Sequence, residues 1–196
     1  MGKRIAALLI ALALATPVAA QDQSSGWSKD RQTGCQIWNP QPQADESVEW
    51  SGLCRDGLAE APGTLRWLVK GALHSTEEVS FRAGRQTGAV RSVSRYGDVT
   101  IGTYDNGKPV GSWIFQHDAS RVELEYRDGV VQPNAKWFGY GGTSYVGGWQ
   151  GGRPHGIGTL TTITGAVYSG RWTHGCFSEG DRRTRFGATP QECGFD

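Results

Sequence analysis

Tyr145-Val146-Gly147-Gly148-Trp149-Gln150-Gly151-Gly152-Arg153-Pro154-His155-Gly156-Ile157-Gly158-Thr159-Leu160 is the stretch on which the fold turns. Counted from Tyr145, it has aromatics at 0 and +4, glycine at +2, +7, +11 and +13, and Leu at +15. Side chains alternate faces along a strand, so offsets 0, +2 and +4 share one face. Two aromatics there flank a glycine, whose missing side chain leaves a slot for a ring from the neighbouring hairpin. The +7 glycine is a turn position, and offsets +11 to +15 form the return strand. One unit is therefore a β-hairpin.

The unit recurs along the chain. Tyr168, Gly170, Trp172 and Gly175 repeat its first half 23 residues later. Trp50 opens another copy, with Gly52, Cys54, Gly57, Ala61, Gly63 and Leu65 at the matching offsets. Thr100 opens a third with Gly102, Tyr104, Gly107 and Gly111, and Trp113 at +13. Glu77 begins a weaker copy with Phe81, Gly84 and Gly88, and Val122 the poorest, keeping only Tyr126 and Gly129. The starts at 50, 77, 100, 122, 145 and 168 give steps of 27, 23, 22, 23 and 23. Asp56-Gly57, Asn106-Gly107 and Asp128-Gly129 are strong signals for tight turns with positive φ. A lone hairpin is not stable in water, so the units must stack. The expected fold is all-β: an elongated, twisted, single-layer antiparallel sheet of about six hairpins of 22–23 residues each. At about 4.8 Å per strand, twelve strands give a length on the order of 55 Å.

Working outward to the ends, Lys3 and Arg4 precede an apolar run from Ile5 to Ala15, then Pro17 and Val18-Ala19-Ala20. This is the pattern of a secretory signal peptide over residues 1–20, and the run is too short to span a bilayer. The mature chain, starting near Gln21, is expected to lack a transmembrane segment and to be periplasmic or secreted. Export places Cys35, Cys54, Cys176 and Cys193 in an oxidising compartment, where an even number reads as two disulfides. Three connectivities exist. The local pairing, Cys35–Cys54 and Cys176–Cys193, closes the shorter loops and is the expected one. Residues 21–49 and 177–196 are read as disulfide-tied caps on an array spanning 50–176. Asn39-Pro40-Gln41-Pro42 in the first cap cannot form a central strand.

Composition narrows the function. Lys+Arg number 20 against 19 Asp+Glu, for a net charge of +1, which excludes a strong basic field and a nucleic-acid partner. The 29 Gly coexist with 8 Trp, so the glycines read as turns between aromatic strands rather than as disorder. Of the four histidines, His74, His117, His155 and His174, the last two fall at +10 and +6 of successive units. They are out of register, so no metal site is expected. Glu77-Glu78 and Glu123/Glu125 read as polar strand faces rather than as a glycosidase pair. No Gly-x-Ser-x-Gly elbow occurs, and the Gly147–Gly152 run lacks the Lys and strand–helix context of a phosphate loop. No catalytic residue and no cofactor are expected. Most aromatics should pack as the core. Those an open sheet leaves exposed, among Trp113, Tyr126, Tyr145, Trp149, Tyr168 and Trp172, form the candidate binding face. Arg182, Arg183 and Arg185, diluted by Glu179 and Asp181, read as a solvated cap.

These residues resemble the MORN repeat family (membrane occupation and recognition nexus), whose unit is similar to Tyr-x-Gly-x-Trp-x-x-Gly-x-x-x-Gly-x-Gly. Tyr145 to Leu160 matches every motif position. Tyr168 to Gly175 matches the first half, and the Trp50 copy matches with Cys54 as the second aromatic. Gly102 to Trp113 resembles the shorter bacterial variant, and Gly34-Cys35 to Trp67 looks like the opening of exported bacterial members. The resemblance covers about residues 48–176. It implies a β-hairpin ribbon that scaffolds proteins, at times near membranes, with no catalytic residues of its own. The expected function is a non-enzymatic, exported protein-binding or scaffolding module whose partner is another envelope protein. The alternative is a lipid- or glycan-surface binder using exposed aromatic and Arg side chains.

Overall fold

The computed structural model describes residues 26–195, so the segment read as a signal peptide lies outside the described residues. β1 (Trp27–Lys29) and β2 (Gln36–Trp38) belong to the N-terminal segment. β3 (Glu46–Trp50) and β4 (Leu53–Arg55) together line β5 (Leu58–Val69). Five hairpins follow: β6 (Ala72–Arg82) with β7 (Arg85–Ser94), β8 (Val99–Asp105) with β9 (Lys108–His117), and β10 (Ser120–Arg127) with β11 (Val130–Phe138). The last two are β12 (Ser144–Gln150) with β13 (Arg153–Thr161), and β14 (Val167–Thr173) with β15 (Cys176–Glu179). β16 (Arg182–Arg185) is the last strand, and a short 3-10 turn at Gln191–Cys193 follows it. All sixteen strands join one open sheet in chain order, with β3 and β4 both paired to β5. The pairing is antiparallel except where Gln36 of β2 meets Leu58 of β5.

Each of the six units forms its hairpin, including the Val122 copy with only two motif residues in place. Stacking between two well-specified neighbours supplies what local sequence does not. The first unit departs from the others, because its opening strand breaks at Ser51-Gly52 into β3 and β4. The turns explain the Asp/Asn-Gly signal: both central residues have positive φ, as at Asn106 (47°) and Gly107 (79°). Ala83 (47°) and His174 (49°) adopt the same left-handed conformation without a short polar side chain.

The tips are also fastened to one another. The turn glycine of one hairpin donates its N–H to a return-strand carbonyl of the hairpin before it. Gly84 donates to Ala59 (2.9 Å), Gly107 to Gln86 (2.8 Å), Gly129 to Pro109 (3.0 Å) and Gly175 to Pro154 (2.8 Å). This ladder runs across the strand bonds and fixes how each hairpin sits on the last.

The glycine slots exist, but the ring that fills them comes from the same hairpin, not the neighbouring one. Trp50 lies over Gly52 and Gly63, Trp113 over Gly102, and Tyr145 over Gly158. The register explains this. Gly147, Gly158 and Gly170 face one another across three strands, so Tyr145 reaches over the bare row and donates its hydroxyl to the Gly148 carbonyl (2.9 Å).

Both ends of the described chain, near residues 26–38 and 186–193, fold back onto the aromatic face. Disulfides join Cys35 to Cys54 and Cys176 to Cys193. Asp30, 2% exposed, accepts backbone N–H bonds from Trp50 (2.9 Å) and Gln32 (2.8 Å). Burial alone would raise its pKa. The N–H donors of Trp50, Gln32 and Thr33 outweigh that and hold the carboxyl below its ordinary range. Gln36 and Trp38 donate to Gly57 and Gly84, laying the N-terminal segment along the hairpin tips. At the other end, Phe186 packs on Trp137 (ring centroids 4.5 Å) and Trp149 (5.9 Å), and Arg153 pairs with Glu192 (2.9 Å). Phe186→Ala is expected to cost about 2 kcal/mol, below the range for a fully buried Phe because the ring is half-buried. Urea titration measures it, and a cost under about 0.5 kcal/mol would mean the cap does not seal the core.

The core forms two clusters. One gathers Ile37, Val48, Trp50, Leu65, Phe81 and Trp113, the other Tyr145, Leu160, Trp172 and Phe177.

Candidate functional site

Strand pairing places Trp50, Leu65, Glu77, Ser92, Thr100 and Phe115 side by side from β3 to β9. The row continues through Val122 and Trp137 to Tyr145. It is the inward row of the sheet, apolar at both ends and polar at Glu77, Ser92 and Thr100. At that polar interval the N-terminal segment stands off the sheet and leaves a groove of about 1010 Å³. Trp38, Pro40 and Gln43 form one wall. Trp67, Glu77, Gln86, Tyr104 and Tyr126 lie across the sheet side.

The wall is held by specific contacts. The Arg85 guanidinium lies 4.4 Å from the Trp38 ring centroid and 5.7 Å from that of Trp27. Glu46 accepts from the Asn39 amide (2.7 Å) and the Ser28 hydroxyl (3.3 Å), closing the Asn39–Glu46 loop on itself.

Glu77 is the chemically distinct residue of the groove. Its carboxylate accepts a hydrogen bond from the Gln86 amide (3.0 Å), and Ser92 stands opposite it on the next strand. Burial pushes its pKa up to about 7, and the polar side chains of Trp67, Gln86 and Ser92 only partly oppose the rise. Among the described residues, none of the ion pairs involves Glu77. Its field reaches Tyr104, whose hydroxyl is pushed well above its ordinary range by burial, then by Glu77, then by Tyr126. Burial likewise raises Tyr126.

The structure divides the residues named from sequence. Trp113, Tyr145 and Trp172 are buried at 5%, 0% and 1% exposure and serve as core. Trp149 and Tyr168 are half-buried, Trp149 under Phe186 and Tyr168 under the Arg182 guanidinium (5.2 Å). Tyr126 alone of the six lines the groove. Glu77 and Glu78 are not one polar face. Glu78 stands opposite Arg91 on the outer side, whereas Glu77 turns into the core row. Nor are His155 and His174 apart: their ring centroids lie 4.8 Å from one another, and His174 N–H donates to His155 Nδ1 (3.4 Å). Offsets counted along the chain hide this, because the antiparallel β13–β14 pairing and the Gly175–Pro154 bond bring +6 of one unit beside +10 of the previous one. Among the described residues no group of three or more His, Cys, Asp or Glu could hold a metal ion.

Trp38, Trp67, Gln86 and Arg85 carried no signal in the repeat, since the fold alone assembles them. Glu77 did carry one. It occupies offset 0, the position of Trp50, Tyr145 and Tyr168, so a carboxylate stands where the pattern wants a ring.

Against known families, residues 145–167 match the family model of the MORN repeat. No curated protein matches the chain. The matched repeat is of a kind that generally binds proteins or membranes rather than catalysing reactions. Among the described residues no helix is long and apolar enough to cross a membrane.

Proposed function

We propose, taking this as a MORN-repeat protein, that it is a non-catalytic, exported scaffolding module that holds another envelope protein in the groove over Glu77. The observation that carries this reading is the groove itself. The polar interval of the inward row, open between the N-terminal segment and β5 to β10, offers aromatic faces, a carboxylate and amide groups in one concave surface. That mixture suits a protein segment, which presents apolar, hydrogen-bonding and charged groups together. The two disulfides support export, because such bonds persist in oxidising compartments.

Capture of the tagged mature chain from cross-linked envelope fractions, followed by mass spectrometry, tests the reading. One dominant stoichiometric protein is expected with the parent chain and is lost with Tyr126→Ala, whose side chain borders the groove. Thermal unfolding of the variant checks that the sheet survives. Enrichment of lipid or cell-wall glycan without a protein partner would overturn the scaffold reading in favour of a surface binder.

A further inference from the structure

We propose that the groove over Glu77 takes a lysine side chain of the partner protein, its ammonium docking on the Glu77 carboxylate among Trp67, Tyr104 and Tyr126. This rests on the reading of the groove as a protein-binding surface.

Three observations converge. First, the carboxylate is desolvated and bonded to the neutral Gln86 amide (3.0 Å), and among the described residues none of the ion pairs involves it. A buried carboxylate without a counter-charge is costly, and an incoming cation relieves that cost. Second, the neighbours are aromatic, and Trp and Tyr faces attract a cation once water is displaced. Third, offset 0 is held by Trp50, Tyr145 and Tyr168 in three units and by the neutral Thr100 and Val122 in two, so Glu77 is the one unit start that carries a charge.

The geometry favours lysine over arginine. A guanidinium binds best through two parallel bonds to two free carboxylate oxygens. Here the Gln86 amide already engages one carboxylate oxygen. An ammonium is a point charge and needs one free direction. The flexible methylene stem suits a cleft walled by Trp38 and Pro40. Arg85 and Lys108 also line the groove, so acidic residues beside the lysine are expected to strengthen binding of the whole partner.

The test is an NMR titration of the full mature chain with N-acetyl-lysine-N-methylamide, and with its norleucine counterpart as the uncharged control. The lysine compound is expected to shift the Trp67 indole and Gln86 amide signals, and the norleucine compound to leave them in place. Glu77→Gln should bind the lysine compound at least about tenfold more weakly, the loss expected for one charged hydrogen bond. Equal response to norleucine, or equal binding by Glu77→Gln, would overturn the proposal. So would shifts produced by sugars or by phosphocholine vesicles but not by the lysine compound. The capture experiment separates the two readings. A partner retained equally by Glu77→Gln leaves the protein-binding function standing and removes the lysine contact. Absence of any protein partner removes the function, while the titration still decides whether the pocket takes an ammonium.

Discussion

Trp172→Ala is expected to lower the unfolding free energy by about 4 kcal/mol, within the range for a large aromatic deleted from a core. Trp172 is 1% exposed and packs against Tyr145 (ring centroids 5.5 Å) and Phe177 (5.3 Å). Its indole N–H also donates to the Gly158 carbonyl (3.1 Å). Truncation therefore leaves a cavity and removes the hydrogen bond to Gly158 together. The site cannot collapse to fill the hole, because β14 is bonded along its length to β13 and the tip is pinned by the Gly175–Pro154 bond. Trp172→Phe should cost about half as much, keeping a ring but losing the hydrogen bond. Urea unfolding measures both, and a cost below about 1 kcal/mol for Trp172→Ala would mean the C-terminal cluster is not a core. Hydrogen exchange should locate the damage. In a stacked array each repeat touches only its neighbours, so amides of β12 to β15 should lose protection while those of β5 to β9 keep it.

The architecture was legible because the repeat writes the same hairpin six times. A turn signal at Asn106-Gly107 or an aromatic–Gly–aromatic triplet at Tyr145 needs no tertiary information. What was not legible depends on where strands lie relative to one another. Whether Trp113 is a core ring or a contact surface follows from its position over Gly102 and under Tyr104 and Tyr126. No offset within one unit contains that fact. The His155–His174 neighbourhood is hidden for the same reason. The groove is less legible still, since its wall comes from the Pro-rich Asn39–Pro42 loop, whose sequence says only that it is no central strand. Glu77 is the instructive middle case. Its unit was weak by the pattern, and the weakness was itself the signal: the core row changes chemistry there.

That change of chemistry should be visible in the pH dependence of stability. Glu77 has a pKa near 7 in the folded chain, raised by burial from an ordinary value of 4.5. The folded state then holds the proton over a range in which the unfolded chain has released it. Where the folded state binds more protons, the unfolding free energy falls as pH rises. The contribution of Glu77 is therefore fully present below about pH 4.5, is lost progressively toward pH 7, and is absent above it. Each tenfold change in proton affinity between the two states is worth about 1.4 kcal/mol, so the full span is about 3 kcal/mol. The groove leaves the carboxylate an accessible edge, and about 2 kcal/mol is the expected size. Glu77→Gln keeps the shape and the carbonyl acceptor for Gln86 and cannot ionise. It should match the parent chain within about 0.5 kcal/mol at pH 4 and exceed it by about 2 kcal/mol at pH 8. Other titrating pairs, such as His117 with Asp98, are common to both proteins and cancel in the difference. Urea titrations of the two proteins at pH 4, 6 and 8 decide the matter, and an equal difference at all three would place the carboxylate in water rather than in the sheet. A variant that is more stable at pH 8 yet weaker in binding would locate the reason for the carboxylate: the fold tolerates an unfavourable charge because a ligand completes it.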